Sequence, residues 1–382
     1  MGAGVRARSR LVADVGTTTV SLALLDRAGR VVRRRELPNP QQCTGADVLS
    51  RIAAERAARS AGLVDVLRRV ADEWGADPRQ EVVAVANTVM AHFLLGKSPS
   101  GLGYHPYRSR LSRRRVLRAV RAGLRLVMPP LLGRFVGSDC CAAILASGIH
   151  RSRRLALLVD AGTNGEVALG DRNGILVCST AAGPAFEGAT LECGSLAGPG
   201  AVRSVSISDG RIQVHVGGRR QPESICGSGV LDAVAAGLKF GKIDRSGRVA
   251  GGRLQLAPRV WLSQADIREV QLAVGAVGAA VRLLLRSRGA DTKDIRQVVV
   301  TGRFGAALNI ESAVAVGLLP ETTASVRQHG NLALRGAVMV AREPELMAEA
   351  EALAGKCREV MLSGRQDFES VFVEQMEFRR WR

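Results

Sequence analysis

Two short turns constrain this chain more than any other feature. Residues 11–26 read LVADVGTTTVSLALLD and residues 155–171 read LALLVDAGTNGEVALGD. Each is an apolar run that closes on Asp-x-Gly-Thr and then resumes as a second apolar run. Asp14 and Asp160 lie about one domain length apart. The copies continue alike. LVADV, TVSLALLD and VVRRREL read as three strands, with RAGR as a glycine turn between the last two. LALLVDA, EVALG and ILVCST repeat the plan, with GTNG and DRNG as the turns. The step from the motif acid to the next turn is nearly the same, Asp14 to Asp26 and Asp160 to Asp171. Two matched three-strand meanders at domain spacing predict an internally duplicated α/β fold.

The segments between them fit that plan. LPNPQQCTGADVLSRIAAERA predicts a proline-marked loop and then a helix, and GLVDVLRRVADEW an amphipathic helix. EVVAVANTVMAHFLLG reads as a buried strand, a turn at Asn87–Thr88 and a helix. LVMPPLLGRFVGSDCCAAILASGI ends the first half in a small-residue helix, and residues 150–154 form the linker. This predicts a basic tail over 1–10, a first domain over 11–150 and a second over 151–382. In the second half, TAAGPAFEG and SICGSGVLDAVAAGLKFG enter loops or helices through glycines. LSQADIREVQLAVGAVGAAVRLLLRSRG predicts a long helix capped by its Ser or Asp. IRQVVVTGRFGAALNIESAVAVGLLP reads strand, glycine turn, helix. The tail reads as helix, strand (REVML) and helix.

A strand that ends in Asp and turns at once through Gly-Thr suits a phosphate and its metal. Gly16 and Gly162 let the backbone approach a phosphate, and the N–H groups that follow make an anion nest. Thr17, Thr18 and Thr163 add hydroxyl donors, and Asn164 is a further candidate donor. Asp14 and Asp160 are candidate Mg²⁺ ligands through water, because Mg²⁺ keeps its hydration shell. Facing copies would grip a triphosphate from both sides, which one copy cannot do. A lone Asp-x-Gly-Thr is more often an ordinary hairpin; two inside matched meanders are a strong signal. Downstream, VVVTGRFGAALN places Gly302, Phe304 and Gly305 between a strand and a helix, where glycines would let an adenosine lie against backbone. Glu166 in TNGE and Glu187 in PAFEG are candidate catalytic carboxylates, able to orient water or direct the metal.

Phosphate loops in both halves followed by a late adenosine turn resemble the ATPase superfamily of actin, sugar kinases and heat-shock-70 proteins. That resemblance implies two RNase H-like domains, each a mixed sheet flanked by helices, around a nucleotide cleft. Within the superfamily, GTTTV, NPQQCTGADVLSRI, ANTVMAHFLLG, VDAGTNGEVALGDRNGILVCSTAAGPAFEGA, ICGSGVLDAV, IDRSGR, LSQADIREVQLA and GLLP are similar to the ATPase portion of the reductive activators of corrinoid proteins. The likeness covers residues 11–378, and CSTAAGPAFEGA and TNGE are its most specific parts. It implies ATP and Mg²⁺ as cofactors and a corrinoid protein of a methyltransferase system as partner. Such proteins use ATP to support return of inactive Co(II) corrinoid to methyl-accepting Co(I). Many members carry a [2Fe–2S] domain. No cluster spacing occurs in this sequence, so a separate ferredoxin-like donor is expected. The resemblance also implies a homodimer.

Composition narrows the rivals. The chain of 382 residues carries a formal net charge of +19, contributed by 49 Arg against only 5 Lys. The densest basic stretch, 107–125, is expected to be an exposed helix or loop. Few aromatics stand in it, which argues against single-stranded nucleic acid; the arginine excess reads first as codon bias on a solvated surface, with an acidic protein partner as the alternative. No apolar run of membrane-spanning length is evident. Residue 6 is Arg where a myristoylation signal needs Ser or Thr, so a cytoplasmic protein is expected. Seven Cys without a C-x-x-C read as reduced, mostly buried thiols. Cys140 and Cys141 would point apart on a helix, and Cys193 and Cys226 suit packing beside glycines. The five His form no metal motif, and His92 reads as packing. Ser228 is a ligand contact or a helix N-cap. Two rivals remain: a small-molecule kinase of the same superfamily, which needs a carboxylate base that no motif identifies, and a non-catalytic ATP-binding scaffold.

Overall fold

The computed structural model describes residues 9–45, 47–188, 190–208 and 210–381. Most of the basic tail expected over 1–10 therefore lies outside the described residues. By contacts the chain divides into two compact units. One comprises Met1–Arg153, Gly170–Val177 and Asn331–Glu359; the other comprises Arg154–Leu169, Cys178–Gly330 and Val360–Arg382.

The described chain opens with β1 (Arg10–Val15), β2 (Thr19–Leu25) and β3 (Val31–Pro38), an antiparallel meander as the sequence predicts. The β2–β3 turn is fixed by Asp26, whose carboxylate accepts from the N–H groups of Ala28 and Arg30 at 2.9 and 2.8 Å. Gly29 takes the left-handed conformation that this turn demands (φ 74°). A 3-10 turn at 40–44 leads to α1 (Val48–Ala53), α2 (Glu55–Ser60) and α3 (Leu63–Trp74). Then come β4 (Val82–Ala86), α4 (Thr88–Leu94), β5 (Leu117–Arg121), β6 (Leu124–Met128) and α5 (Ser138–Ser147).

The second meander is β7 (Ala156–Ala161), β8 (Asn164–Asp171) and β9 (Gly174–Ala181). It is followed by β10 (Ala201–Ser208), β11 (Arg211–Val216), β12 (Ser224–Ile225), α6 (Gly227–Lys239), β13 (Arg253–Ala257), β14 (Val260–Ser263) and α7 (Gln264–Arg288). The chain continues through β15 (Gln297–Thr301), α8 (Gly302–Gly305), α9 (Ile310–Val316) and β16 (Ser325–Gln328). It ends with α10 (Leu332–Arg342), α11 (Leu346–Lys356), β17 (Cys357–Glu359) and α12 (Phe368–Met376).

In the first unit the sheet order is β3-β2-β1-β4-β6-β5. β4 lies parallel to β1 and β6 parallel to β4. Alternate residues of β1, namely Leu11, Ala13 and Val15, join a buried cluster with Leu67, Val70 and Trp74 of α3 and Met90 and Phe93 of α4. α10 packs on β1 and β4 and against α5. These two helices approach so closely that a Cβ on Gly336 would lie 2.1 Å from the Ala142 carbonyl. In the second unit the order β16-β15-β7-β8-β9 repeats the first, and β15 is parallel to β7 as β4 is to β1. The tip of the β8–β9 hairpin groups with the first unit, where β17 pairs parallel to Ile175–Val177.

Three local expectations change. Residues 107–125 are not a helix: 107–116 run as a loop, and β5 with the first two residues of β6 begins an antiparallel hairpin. LRAVR and LRLVM alternate about a tight turn at Ala122 and Gly123 (φ 46° and 76°). REVML contributes only its first residues, 358–359, to a strand. Cys226, not Ser228, holds the N-cap position of α6. The β10–β11 and β13–β14 hairpins lie in stretches that the sequence left unread. The long helix α7 is capped by Ser263, whose hydroxyl accepts from the Asp266 N–H at 3.2 Å. α7 is long and apolar enough to cross a membrane, yet 78% of its apolar window is buried within the protein, as in a core helix.

Candidate functional site

Parallel pairing brings two strand ends together in each unit. In the first, Asp14 stands opposite Val85, one residue before β4 ends. In the second, Asp160 stands opposite Thr301, the last residue of β15. Asn87–Thr88 after β4 and Gly302 after β15 therefore hold corresponding places beside the two acids.

The first hairpin is closed by the Gly16 N–H donating to the Thr19 carbonyl at 2.9 Å. Asn39, 1% exposed, fixes its outer side. Its amide donates to the Gly16 carbonyl at 2.8 Å and its backbone N–H to the Thr18 carbonyl at 2.8 Å. Gln42 donates a further bond to Thr18 at 2.8 Å. On the other side the Asn87 amide donates to the Thr17 hydroxyl at 3.0 Å while its oxygen caps α4 through the Met90 N–H. Asp14 accepts from the side-chain amide of Asn331, which also caps α10 through the Leu334 N–H at 2.7 Å. Burial pushes the Asp14 carboxyl up to about 7 against the downward pull of that bond, and the carboxylates of Asp139 and Glu36 push it the same way as burial. A carboxyl so placed gains by taking a cation. Asp139 opens α5, behind Gly137, where a Cβ would meet the Ala86 carbonyl at 2.2 Å.

The second hairpin turns through Gly162 and Thr163, and the Thr163 carbonyl accepts from the Gly183 N–H at 3.0 Å. Asn164 opens β8 and is half-buried. Gly302 takes φ 93°, and a Cβ there would lie 2.5 Å from Asp160 Oδ1. The glycine turn is thus packed directly on the second acid. Glu166 is buried and accepts from the Ser179 hydroxyl at 3.3 Å. Phe304 is also buried. Its ring stacks on Phe186 with centroids 4.7 Å apart and planes within 2°, so that face of the ring is covered. Gly305 sits over Val300, and its carbonyl accepts from Gln328 at 3.0 Å. Glu187 lies in a 3-10 turn, and its side chain is outside the described residues.

The first unit thus brings together Asp14, Gly16, Thr17 and Thr18. The second places Asp160, Gly162, Thr163 and Asn164 on one hairpin and packs Gly302 on Asp160; Phe304 and Gly305 follow Gly302 in the chain, and Glu166 lies farther along β8. Carboxylate oxygens, hydroxyls and turn N–H groups at the ends of adjacent parallel strands fit a hydrated Mg²⁺ and phosphate oxygens. Sequence reasoning missed Asn39, Asn87, Asp139 and Asn331. Asn87 had a signal, since it follows a fully buried strand; Asn331 had none, because it reaches Asp14 from far down the chain.

Ser228, His92 and the cysteines make contacts within the fold. The Ser228 hydroxyl donates to the Arg203 carbonyl at 2.7 Å. His92 is fully buried, with Nδ1 2.7 Å from the Thr88 carbonyl. All seven Cys are free thiols, of which Cys140, Cys141, Cys178, Cys226 and Cys357 are buried. Burial pushes the Cys357 thiol up to about 12. Among the described residues no three His, Cys, Asp or Glu side chains gather as a metal-binding group.

A family model described as the C-terminal domain of RACo, the ASKHA domain, matches residues 154–381, and one described as the RACo middle region matches residues 10–152. Over 372 residues the chain is 31% identical to the corrinoid activation enzyme RamQ of Eubacterium limosum, covering 85% of this chain and 62% of that protein. Over 279 residues it is 27% identical to a Co(II) methylated amine-specific corrinoid protein reductase of Methanosarcina barkeri, covering 66% of this chain and 51% of that protein. The chain therefore spans less than two thirds of the length of these relatives. A solved structure of a reductive activator for corrinoid, iron-sulfur protein superposes with a TM-score of 0.86 at 28% identity, covering 99% of this chain and 67% of that one.

Proposed function

Since the chain belongs to the RACo family, carrying its middle region and its C-terminal ASKHA domain, we propose that it is an ATP-dependent activator of a corrinoid protein. It supports reduction of inactive Co(II) corrinoid to the methyl-accepting Co(I) state, with electrons from a separate iron-sulfur donor. Residues 11–150 and 151–382 act as its two domains, each carrying one phosphate loop. The setting is the cytoplasm, and the assembly is a homodimer, the latter as the family resemblance implies.

Bound Mg²⁺ neutralises phosphate charge and orients the triphosphate. Asp14 and Asp160 are the residues that would hold it. The turn N–H groups and hydroxyls at 16–18 and 162–164 bind phosphate oxygens, and Gly302 and Gly305 give the adenosine room against backbone. Phe304 walls that pocket from its place on Phe186. Glu166 and Glu187 orient water or the metal's ligands, and Asp139 is a further carboxylate within electrostatic reach of Asp14. The observation that carries this reading is the repeated frame: an acid at the end of β1 and of β7, each beside a parallel strand that ends in a turn.

The corrinoid protein docks on the first unit's basic edge. No acidic residue stands between Glu81 and Asp139, while Arg108, Arg110, Arg113, Arg114, Arg115, Arg118, Arg121 and Arg125 are all exposed there. Among the described residues only loose ion pairs touch this set, Arg115 with Glu351 at 3.7 Å and Arg118 with Glu81 at 3.6 Å. Such a field attracts an acidic surface.

Purified protein mixed with a Co(II) corrinoid protein, a reductant and ATP should produce the Co(I) absorption band, and omission of ATP should abolish it. ATP turnover stimulated by a sugar or short carboxylic acid would replace this reading with a small-molecule kinase. No calorimetric binding at millimolar ATP would leave a scaffold.

A further inference from the structure

The segment NPQQCTGADVLSRI contains the least expected side chain in the first unit. Arg51, in α1, has 0% exposure and is among the largest fully buried side chains. It makes no ion pair with any described residue. Its Nε donates to the Gly45 carbonyl at 3.1 Å and its Nη1 to the Met90 sulfur at 3.5 Å, while Nη2 has no partner. Asp47 is a nearby carboxylate, but it is exposed and bonded to the Leu49 and Ser50 N–H groups as the cap of α1. Burial draws the Arg51 guanidinium down to about 10. An enclosed cation without a counter-ion costs several kcal/mol.

Position supplies the reason for keeping it. The Met90 sulfur that accepts from Arg51 also accepts from the Asn39 amide at 3.5 Å, and the same amide holds the Gly16 carbonyl. Guanidinium and phosphate loop are thus joined through one sulfur and one amide. Two more buried polar atoms without partners, Gln41 Oε1 and Thr88 Oγ1, lie on the neighbouring turn and helix start. The loop carries no Lys or Arg of its own between Leu11 and Asp26, so Arg51 is the cation tied most directly to it.

We propose that Arg51 is a positioning residue for the first phosphate loop, a buried positive charge whose counter-ion is the anionic ligand that loop receives. This rests on the reading that the loop takes a triphosphate. Through a low-dielectric interior the charge acts on the loop without touching the ligand. It raises the free energy of the empty protein and is compensated on binding, so ligand affinity gains what the empty state loses.

The test is Arg51→Met, which keeps an unbranched apolar stem and removes the charge, with Arg51→Lys beside it. Melting of the nucleotide-free proteins and calorimetry with MgATP and with Mg-tripolyphosphate are measured. The Met variant should melt higher than wild type and bind both ligands at least about tenfold more weakly. The Lys variant should melt lower yet bind within about threefold of wild type. A Met variant that melts lower and binds as wild type does would make Arg51 a packing residue, and one that melts higher with unchanged affinity would show that the charge does not reach the loop. If the Met variant does not fold, a Lys variant that binds tenfold more weakly overturns the proposal. If wild-type protein binds neither ligand, the nucleotide reading falls, and this proposal with it.

Discussion

At the end of β1, Asp14 is held by an amide from Asn331 and sits within reach of Asp139 and Glu36, which with burial raise its carboxyl to about 7. At the end of β7, Asp160 lies against Gly302, where a Cβ would stand 2.5 Å from its oxygen. One frame of parallel strands thus carries two solutions. The first hairpin accumulates negative charge and needs a cation; the second excludes bulk so that something can approach. A duplicated fold preserves the backbone frame while each copy specialises its surroundings.

The largest effect that could break this comparison is at Asp14. Asp14→Asn should lower Mg²⁺-dependent turnover at least about a hundredfold. It should also stabilise the metal-free protein, because the charged carboxyl is the costly form. With a folded value near 7 above an ordinary 3.8, the penalty is absent below about 3.8, grows through the interval and is complete above 7. The variant's gain is therefore largest at pH 8, at most roughly 4 kcal/mol, and less than half of that at pH 5. Melting curves at the two pH values read it. A loss of stability at pH 8 would mean that Asp14 is a structural acceptor, and the first hairpin would have no need of a cation.

Bulk at the second hairpin comes next. Gly302→Ala places a methyl on the Asp160 oxygen and strains a backbone at φ 93°. Nucleotide affinity should fall about tenfold, as one misplaced group in a tight site costs. Gly16→Ala, whose Cβ would meet the Thr19 carbonyl at 3.1 Å, should cost nearer threefold. Equal effects in calorimetry would erase the distinction between a charged loop and a crowded one.

A third effect concerns only the first unit. Arg118→Glu with Arg121→Glu should raise the KM for the corrinoid protein about tenfold and flatten its salt dependence. ATP turnover without that partner should not change. An unchanged KM would free the hairpin from any docking role.

The meanders, the flanking helices and both acids were legible because each depends on local pattern: alternating apolar runs, a glycine turn and a terminal Asp. The β5–β6 hairpin was not, because Arg118, Arg121 and Arg125, continuing an arginine-rich run, mask the apolar alternation that Leu117, Leu124 and Leu126 preserve on the buried side. The supports of the first site were illegible for another reason. Asn39, Asn87, Asp139 and Asn331 come from four separate segments and meet only when the sheet forms, and a lone Asn near a helix start reads as a cap. Asn87 and Asn331 are indeed caps, and their side chains serve the hairpin with the atoms that capping leaves over.

The smallest expected effect tests that double duty. Asn331 lowers the Asp14 carboxyl through its amide while its oxygen caps α10. Asn331→Asp keeps a capping oxygen and replaces the amide donor with a carboxylate, so stability should change by less than about 1 kcal/mol through the cap itself. Asp14 would lose a donor and gain a negative neighbour, and both changes raise its affinity for protons. The acid limb of the Mg²⁺-dependent turnover profile should move to higher pH by about one unit, and added Mg²⁺ should draw it back, because the metal competes with the proton for the same oxygen. Asn331→Ala should move the limb less, since it removes the donor without adding charge, and should lower the melting temperature through the lost cap. Identical limbs in all three proteins would separate the α10 cap from the chemistry and leave Asp139 and burial as the causes of the Asp14 shift.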